Sequence, residues 1–465
     1  MSSEREELAA LRERVADRTR EIIDLIAARN ELAKRIGAVK AREAIQIEDT
    51  NVEDALVRLV MDECEDKGVD VQTGLKVLSA VVAEGKRVQG FRPKRQLITP
   101  MMMSAKAREV EATGKRLVRL DVGEPDFHPP KAVLDATSQA LYGFKTHYTG
   151  TRGIPQLTAA LRSYLERKRH YVAKETEVMV DPGGRFGVYS ALTTTVREGE
   201  SAIVIEPNWP AYKECLEFIG GRAIAVHTTL EEGWEPSVEV IHDAIRPNTR
   251  AIVLSYPANP TGKMISPGKF KEIVGLANDH GLTVVSDEIY TDYAYSECPS
   301  VLGSGAKRFI LTGSFSKTWA MTGFRVGYTV SSEEVIAKMM KIQALVLTSV
   351  PEFIQYGAIA ALESDEEVAR NSAAMKDRIE TAAAELRRVG ALEFVKPDGA
   401  MYVFPQGRDP AFDATAFTMR LLEEKGVTIS PGSGFGDYPR CFRISLGGSR
   451  ETIVEGIGKI GELLG

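Results

Sequence analysis

The stretch TGSFSKTWAMTGFRVGY, residues 312–328, has Lys317 directly after Ser316 and close to Ser314, with Arg325 further along. Its flanks, RFIL and RVGYTV, have the apolar composition of strands. A lysine just past a strand end, in apolar surroundings with cationic neighbours, loses its proton readily enough to form a Schiff base. Hydroxyl groups and a guanidinium are what a phosphate needs. The stretch therefore predicts a reactive lysine beside an anion site.

From about residue 97 onward, short apolar strands alternate with helical stretches such as PGKFKEIVGLANDHG. The clearest strands are SAIVIEP at 201–207, AIVLSYP at 251–257, LTVVSDE at 282–288 and RFILTGS at 308–314. The alternation predicts a mostly parallel sheet with helices on both faces and a ligand crevice beyond the carboxyl ends of the strands. Asn259, Asp287, Ser314 and the sequence DPGGR at 181–185 each follow a strand, and we expect them to converge there.

The first ninety residues have a different pattern, typical of helices. They predict three helices, Glu4–Lys40, Val52–Asp66 and Val71–Val88, the first with apolar residues at helical spacing: Leu8, Leu11, Val15, Ile22, Ile26, Ala33 and Ile36. The following GFRPKRQLITP is rich in proline and basic residues, which is typical of a linker. We therefore predict an all-α domain over 1–90, a linker over 91–96 and an α/β region over 97–465.

Composition argues against several classes of protein. The 59 basic residues nearly balance the 65 acidic ones, so no electrostatic feature favours nucleic acid or an anionic membrane as partner. The four cysteines are scattered and histidines number six, which disfavours a metal site or a disulfide framework. The charged N-terminus and the lack of a long apolar run predict a cytoplasmic protein.

The strand-end residues fit one cofactor. A carboxylate such as Asp287 pairs with a protonated pyridine nitrogen, while Asn259 and Tyr290 can donate to a ring oxygen. With a Schiff-base lysine and a phosphate site, this predicts pyridoxal phosphate. Taken singly, Lys317 and Arg325 could be surface charges and the serines helix caps; the combination at strand ends favours the cofactor.

These motifs resemble the class I and II aminotransferases, enzymes of fold type I that use pyridoxal phosphate. The similarity covers residues 97–465 and is carried by LDVGEPDF, YTGTRGIPQL, PANPTGK, SDEIY, SFSKTWAMTGFRVGY and CFRISL. It implies a large cofactor-binding part over about 140–375 and a smaller α+β part from about 97–139 and 376–465. It also implies glutamate or aspartate as amino donor in a two-stage exchange of nitrogen.

The resemblance also implies roles for individual residues. Lys317 would hold the cofactor and carry the proton, Asp287 would pair with the pyridinium, and Tyr290 and Asn259 would contact the phenolic oxygen. The phosphate would be held by Ser314, Ser316, Arg325, the backbone amides of Gly184 and Arg185, and Tyr148 of a neighbouring subunit. Trp209 would stack on the cofactor ring or simply be a buried tryptophan, and Arg443 with Gly123 would bind the substrate α-carboxylate.

The helical domain places polar groups among apolar ones. Arg29 and Lys40 fall on nearly the same face as Ile22, Ile26 and Ile36, so two cations are expected to face a core. In the third helix Gly85 and Gln89 share a stripe with Leu78 and Val82. Burying unpaired charge is costly, so this pattern predicts an anionic ligand. The alternative is that the long side chains reach solvent or pair with acids in the bundle.

The sequence LAALRERVADRTREIIDLIAARNELAKRIGAVK, with EDTNVED and VVAEGKRVQ, is similar to the all-helical chorismate mutases over residues 5–90. The similarity implies that Arg29 and, from a partner chain, Arg12 bind the carboxylates of chorismate. Lys40 and Gln89 would donate to its ether oxygen, and Asp49 and Glu53 would complete the pocket, with Glu53 at the ring hydroxyl. Two positions depart from the family pattern: Val52 replaces an arginine and Gly85 replaces a serine.

Together the two halves predict a homodimeric enzyme of aromatic amino-acid biosynthesis. It would rearrange chorismate to prephenate and transfer an amino group to prephenate or an aromatic keto acid. The alternative is an aspartate or aromatic aminotransferase with a catalytically silent helical domain that regulates or dimerises it, which would account for Val52. A fusion to a DNA-binding domain is disfavoured, because the first helix is too long for a helix-turn-helix.

Overall fold

The computed structural model describes residues 2–43, 47, 49–89 and 98–465. The chain divides into two compact units, Met1–Gln96 with Arg246–Asn248 and Leu97–Ile245 with Thr249–Gly465. The predicted linker, 91–96, lies outside the described residues, and the predicted domain limits stay a prediction. No helix among the described residues is long and apolar enough to cross a membrane.

The first unit contains the three expected helices, and their bounds are close to those predicted. They are α1 (Ser2–Arg42), α2 (Thr50–Lys67) and α3 (Val71–Val88). The carboxylate of Asp49 caps α2 by accepting from the backbone N–H groups of Asn51 and Val52, and Asp70 caps α3 in the same way. Gly68, at φ 66°, ends α2 in the left-handed conformation that glycine adopts most easily.

The apolar stripe of α1 is largely exposed in the single chain. A helix of this length spans about 60 Å, whereas α2 and α3 each span about 27 Å. Each of these two helices can therefore cover less than half the length of α1. Ile22 and Ile36 are 54% and 49% exposed, and the expectation that they face a core with Arg29 and Lys40 is wrong within one chain. Ile26, Arg29 and Lys40 are half-buried, and Ala33 and Gly37 are buried.

In the second unit, seven described strands form a sheet in the order β2–β8–β7–β6–β5–β3–β4. Their bounds are β2 Val178–Asp181, β3 Ser201–Glu206, β4 Arg222–His227, β5 Thr249–Ser255, β6 Thr283–Asp287, β7 Phe309–Ser314 and β8 Gly327–Ser331. Neighbours from β4 to β7 run parallel, while β8 is antiparallel to both β7 and β2. The mostly parallel sheet is therefore confirmed, and β2 points in the same direction as β7.

The described helices of this unit pack on both faces of the sheet and in the smaller part. They are α4 Pro100–Glu111, α5 Lys131–Tyr142, α6 Pro155–Arg169, α7 Gly184–Thr195, α8 Ala211–Phe218, α9 Val238–Ala244, α10 Pro267–Asp279, α11 Glu333–Val346, α12 Glu352–Leu362, α13 Asp365–Leu386, α14 Ala414–Arg420 and α15 Arg450–Leu464. One face carries a core with Leu161 of α6 and Ile273 of α10, and the other a core with Val188 of α7 and Ile336 of α11. Continuous apolar strands are expected of a sheet covered on both faces.

A third core belongs to the smaller part. Its strands are short: β1 Val118–Arg119, β9 Leu392–Glu393, β10 Tyr402–Val403, β11 Gln406–Gly407, β12 Val427–Thr428, β13 Ser430–Pro431 and β14 Phe442–Ser445. Residues such as Leu120, Ile379, Ile444 and Ile457 fill this core between the strands, α13 and α15. Val133 of α5 instead packs with the core of the large sheet, although the sequence places residues 97–139 with the smaller part.

Candidate active site

A cavity of about 470 Å³ lies at the carboxyl ends of the central strands. Gly184 and Arg185 open α7 just after β2, and Asn259 lies in the loop that follows β5. Asp287 and Ser314 are the last residues of β6 and β7. All of them line the cavity, so the predicted convergence of four strand ends is confirmed. The cause is geometric, since strands that point the same way end at the same edge of the sheet.

Most of the residues singled out from the aminotransferase motifs lie in this one wall. The predicted residues that line the cavity are Gly123, Gly184, Arg185, Trp209, Asn259, Asp287, Tyr290, Ser314, Ser316, Lys317, Arg325 and Arg443. Tyr148 does not line it and is 87% exposed, as a residue intended for a neighbouring subunit would be. The role of each residue stays a prediction.

Lys317 lies in the loop after β7, and its Nζ donates a hydrogen bond to the carbonyl oxygen of Gly123. Burial lowers the pKa of the Lys317 ammonium group to about 8; the Glu124 carboxylate opposes this, and the guanidinium groups of Arg443 and Arg325 add to it. A lysine with this pKa has a substantial fraction of uncharged amine near neutral pH, which is what a nucleophilic amine requires.

Asp287 has one carboxylate oxygen engaged and one open. Its Oδ2 accepts from the Tyr212 hydroxyl at 2.6 Å, while its buried Oδ1 has no partner among the described residues. Burial raises the pKa of the Asp287 carboxyl to about 6, and the hydrogen bond from Tyr212 opposes that rise. The carboxylate is therefore mostly ionised at neutral pH, with one oxygen available for an N–H donor such as a pyridinium.

Another group of residues in the cavity wall is suited to bind an anion. The N-terminus of α7 presents backbone N–H groups at Gly184, where a Cβ would lie 3.3 Å from the Cβ of Ser314. Ser314 donates through its hydroxyl to Ser316 Oγ at 3.0 Å, and the Arg325 guanidinium donates to the Thr322 carbonyl oxygen at 2.9 Å. A helix N-terminus, two hydroxyls and a guanidinium are the groups that bind phosphate in proteins, so these residues could hold one.

Arg443 also lines the cavity and is 4% exposed. Its Nη1 donates to Asn259 Oδ1 at 3.0 Å and its Nη2 to the carbonyl oxygen of Asp121 at 2.6 Å. Its Nε has no partner among the described residues. A buried guanidinium whose contacts are neutral carbonyl groups keeps its full positive charge for an anionic ligand.

Three features of the wall were missed from the sequence. Tyr212 bonds to Asp287, the Tyr402 hydroxyl lies 2.7 Å from that of Tyr290, and the Arg185 side chain stacks over the Trp209 ring at 4.6 Å. The tyrosines occur in PAYKE and GAMYVF, and neither sequence contains a signal that separates a site tyrosine from one that only packs in the core. Trp209 is half-buried in the cavity wall, and Tyr212 packs against its ring edge-on.

The comparisons with known proteins agree with this geometry. The family described as Aminotransferase class I and II matches residues 115–460. The chain belongs to this family. The family depends on pyridoxal phosphate. Three features of the cavity fit that group: the open oxygen of Asp287, the lowered pKa of Lys317 and the groups suited to an anion.

Relatives of this aminotransferase are known by activity and by structure. The probable aspartate/prephenate aminotransferase of Aquifex aeolicus is 31% identical over 81% of this chain and 98% of its own. The (5-formylfuran-3-yl)methyl phosphate transaminase of Methanocaldococcus jannaschii is 32% identical over 78% and 96%. The structure of Thermus thermophilus aspartate aminotransferase with maleate superimposes with a TM-score of 0.75 at 32% identity, covering 82% of this chain and 99% of that one.

The aminotransferase also carries a chorismate mutase domain, since the family described as Chorismate mutase type II matches residues 11–90. In it, Arg29 Nη1 donates to the Val81 carbonyl oxygen at 2.6 Å. A Cβ at Gly85 would lie 2.9 Å from that Nη1, so glycine leaves room for the guanidinium. A Cβ at Gly37 would likewise meet Gln89 at 2.9 Å, so α1 and α3 approach closely here.

The other predicted mutase residues have varied surroundings. Lys40 Nζ donates to the Ile47 carbonyl oxygen at 2.8 Å, and Glu53 pairs with Lys86 at 2.9 Å. Gln89 Nε2 donates to the Gly85 carbonyl oxygen, while its Oε1 is buried without a partner in the described part of the chain. Arg12 lies on exposed α1, about 25 Å along the helix from Arg29. Arg12 therefore cannot share a small ligand with Arg29 of its own chain.

The pKa of Lys317 makes the first prediction. Treating the cofactor-free protein with formaldehyde and cyanoborohydride should methylate Lys317 with a midpoint near pH 8, because the uncharged amine forms at that pH. Ordinary lysines, with a pKa of about 10.4, should react mainly at higher pH. Peptide mass spectrometry across a pH series measures both, and the exposed lysines are the internal reference. A Lys317 profile that coincides with theirs would contradict the assignment.

The open oxygen of Asp287 makes the second. Asp287→Ala should lower kcat on the order of 100-fold or more, because it removes the carboxylate that is predicted to pair with the cofactor nitrogen, while the residues predicted to hold the phosphate are unchanged. Tyr212→Phe keeps the carboxylate and should cost about tenfold. Because the Tyr212 bond lowers the pKa of Asp287, its loss should move the acid limb of the kcat profile to higher pH. Equal losses in the two variants would contradict the division of roles.

Proposed function

We propose that the protein is a bifunctional enzyme that converts chorismate to prephenate in the helical domain and transfers an amino group to prephenate or an aromatic keto acid in the large cavity. The aminotransferase half of the proposal rests on one observation: Lys317 and Asp287 line the same cavity. The pKa of Lys317 is about 8, and one carboxylate oxygen of Asp287 has no partner among the described residues. Pyridoxal phosphate, when bound, supplies the electron sink.

The residues of the chain divide the remaining tasks. Ser314, Ser316 and Arg325, with the N-terminus of α7, would hold the phosphate. Asp287 would keep the ring nitrogen protonated, and Tyr290 and Asn259 would contact the phenolic oxygen. Lys317 would hold the cofactor and move the substrate proton through Nζ, while Arg443 would fix the α-carboxylate and so decide which bond of the substrate is aligned to break.

The mutase half needs no acid, base or nucleophile, because the rearrangement of chorismate is pericyclic. Catalysis then depends on holding the reactive conformer and stabilising charge on the ether oxygen. Arg29 with the partner's Arg12 would bind the carboxylates, and Lys40 and Gln89 would donate to that oxygen. Nε2 of Gln89 donates one of its two hydrogens to Gly85, so the second is left for the ether oxygen. The buried Oε1, which has no partner among the described residues, can only accept and therefore supports a donor group of a ligand at this position.

A homodimer would complete both sites. Tyr142, Phe144 and Tyr148 lie close together in the sequence and are 83%, 79% and 87% exposed, so three aromatic side chains are available for contact with a neighbouring subunit. The exposed stripe of α1 and the distance of Arg12 from Arg29 favour the same arrangement in the mutase domain. We place this dimer in the cytoplasm.

The acceptor is proposed to be a dicarboxylate, with prephenate the candidate for this chain. Besides Arg443, the cavity contains the guanidinium groups of Arg185 and Arg108, and Arg185 is held over Trp209 at 4.6 Å. A second carboxylate would find a cation there. The Aquifex relative is named an aspartate/prephenate aminotransferase, and the Thermus structure is described with maleate, a dicarboxylate.

Two observations favour the alternative of a silent helical domain. Glu53, predicted to contact the ring hydroxyl of chorismate, is paired with Lys86, and Val52 occupies the position of an arginine. In that case the domain would bind an aromatic ligand or serve in assembly, and the large cavity would act alone.

The deciding experiment follows chorismate without an amino donor and then adds glutamate. Wild-type protein should form prephenate first and its aminated product second, both read by mass spectrometry. Arg29→Ala should slow the first step on the order of 100-fold and leave amination of supplied prephenate unchanged. Lys317→Ala should abolish amination and leave the formation of prephenate unchanged. Arg18→Ala, which removes an exposed ion pair with Glu21, is the matched control and should leave both steps unchanged.

Two outcomes of that assay would contradict parts of the proposal. Wild-type protein that leaves chorismate untouched while aminating aromatic keto acids would assign the helical domain to binding or assembly. Amination that persists in Lys317→Ala would remove this lysine from the chemistry.

The dicarboxylate proposal has its own test. Arg185→Met keeps an unbranched side chain over Trp209 but removes the charge. The KM for prephenate and oxaloacetate should rise about tenfold or more, the effect of losing a charged hydrogen bond, while that for phenylpyruvate should change little. Arg185→Lys should restore part of the difference. The same change in KM for all three acceptors would contradict a second carboxylate site at Arg185.

A further inference from the structure

Tyr402, the first residue of β10, lies in the cavity wall and is 1% exposed. Its hydroxyl oxygen is 2.7 Å from that of Tyr290, and the two rings meet edge to face with their centres 5.6 Å apart. A hydroxyl has one hydrogen to donate. If Tyr290 donates to an acceptor in the cavity, its oxygen must therefore accept from Tyr402.

The ring of Tyr402 has a second contact. The guanidinium carbon of Arg443 lies 4.6 Å from the centre of this ring and 4.9 Å from that of Phe435. Two aromatic rings thus hold the cation through packing and cation–π attraction, while its N–H groups bond to Asn259 and Asp121.

A third contact fixes the hydroxyl in place. A Cβ on Gly123 would lie 2.7 Å from the Tyr402 hydroxyl oxygen, so glycine is needed for this close approach. The carbonyl oxygen of the same Gly123 accepts from Lys317 Nζ. Tyr402 therefore packs against the residue that holds the lysine, as well as against Tyr290 and Arg443.

We propose that Tyr402 is a positioning residue that couples the cofactor side of the cavity to the carboxylate side. Its hydroxyl orients and polarises Tyr290, and its ring supports Arg443. The inference rests on the proposed aminotransferase function. A chain of two hydroxyls makes the terminal one a stronger donor, because each hydrogen bond polarises the next.

The two parts of the residue can be tested separately. Tyr402→Phe keeps the ring and loses the hydroxyl. Tyr290 then becomes a weaker donor and stabilises the ionised ring oxygen of the cofactor less. The pH titration of the bound cofactor's absorbance, measured without substrate, should move upward by about half a unit to one unit. The KM for the amino donor should change less than twofold.

Phe435→Leu is the matched control, because it removes the other ring beside Arg443 and does not touch Tyr290. It should raise the KM for the amino donor about three- to tenfold and leave the absorbance titration where it is in the wild type. Tyr402→Leu, which loses both ring and hydroxyl, should show both effects and keeps the test informative if one variant folds poorly.

A double-mutant cycle decides whether Tyr402 acts through Tyr290. The titration shift of Tyr290→Phe with Tyr402→Phe should equal that of Tyr290→Phe alone, because the second hydroxyl has nothing left to polarise. Additive shifts would overturn the inference, as would a Tyr402→Phe titration identical to the wild type. If wild-type protein shows no cofactor absorbance, the proposed function itself fails, which separates the two outcomes.

Discussion

Positive charge is concentrated at the carboxyl edge of the sheet, and the site depends on how that charge is balanced. Lys317, Arg325, Arg443 and Arg185 all line one cavity. Arg443 is buried and Lys317 is half-buried, so water screens their charges only in part, whereas Arg185 and Arg325 are exposed. Their mutual repulsion contributes to the low pKa of Lys317. An anionic ligand would relieve this repulsion, so the charge distribution of the cavity favours anions before any specific contact is considered.

Negative groups are fewer here than positive ones, and two of them, Asp287 and Glu124, affect the site directly. Asp287 is held by Tyr212 so that only one oxygen is open, and Glu124 raises the pKa of Lys317 while the arginines lower it. The pKa of Lys317 consequently remains near neutral pH, where the amine can both lose and regain a proton. Small changes in these neighbours therefore shift reactivity without altering the fold.

Much of this arrangement could be predicted from the sequence because it lies at strand ends. Apolar runs mark the strands, and the polar residues that interrupt them, Asn259, Asp287 and Ser314, share an edge whatever the details of packing. Tyr212 and Tyr402 could not be predicted in the same way, because their hydroxyl partners are 75 and 112 residues distant and their local sequences resemble core. The pairing of Glu53 with Lys86 was hidden for the same reason. The periodicity of α1 correctly indicated a helix, but it carries no information on whether the apolar stripe is covered by its own chain or by another.

The antiparallel insertion of β8 has a consequence for how the protein folds. Ser314 ends β7, and Lys317 and Arg325 lie between β7 and β8, whereas Gly184 follows β2. The two halves of the predicted phosphate site meet because Asp181 of β2 pairs with Gly327 of β8, residues almost 150 positions apart. Contacts of such long range form late, since closing a large loop costs chain entropy before any contact offsets it. Strands β3 to β7 can therefore pair before β2 and β8 meet, so we expect the anion site to be completed late in the folding of the sheet.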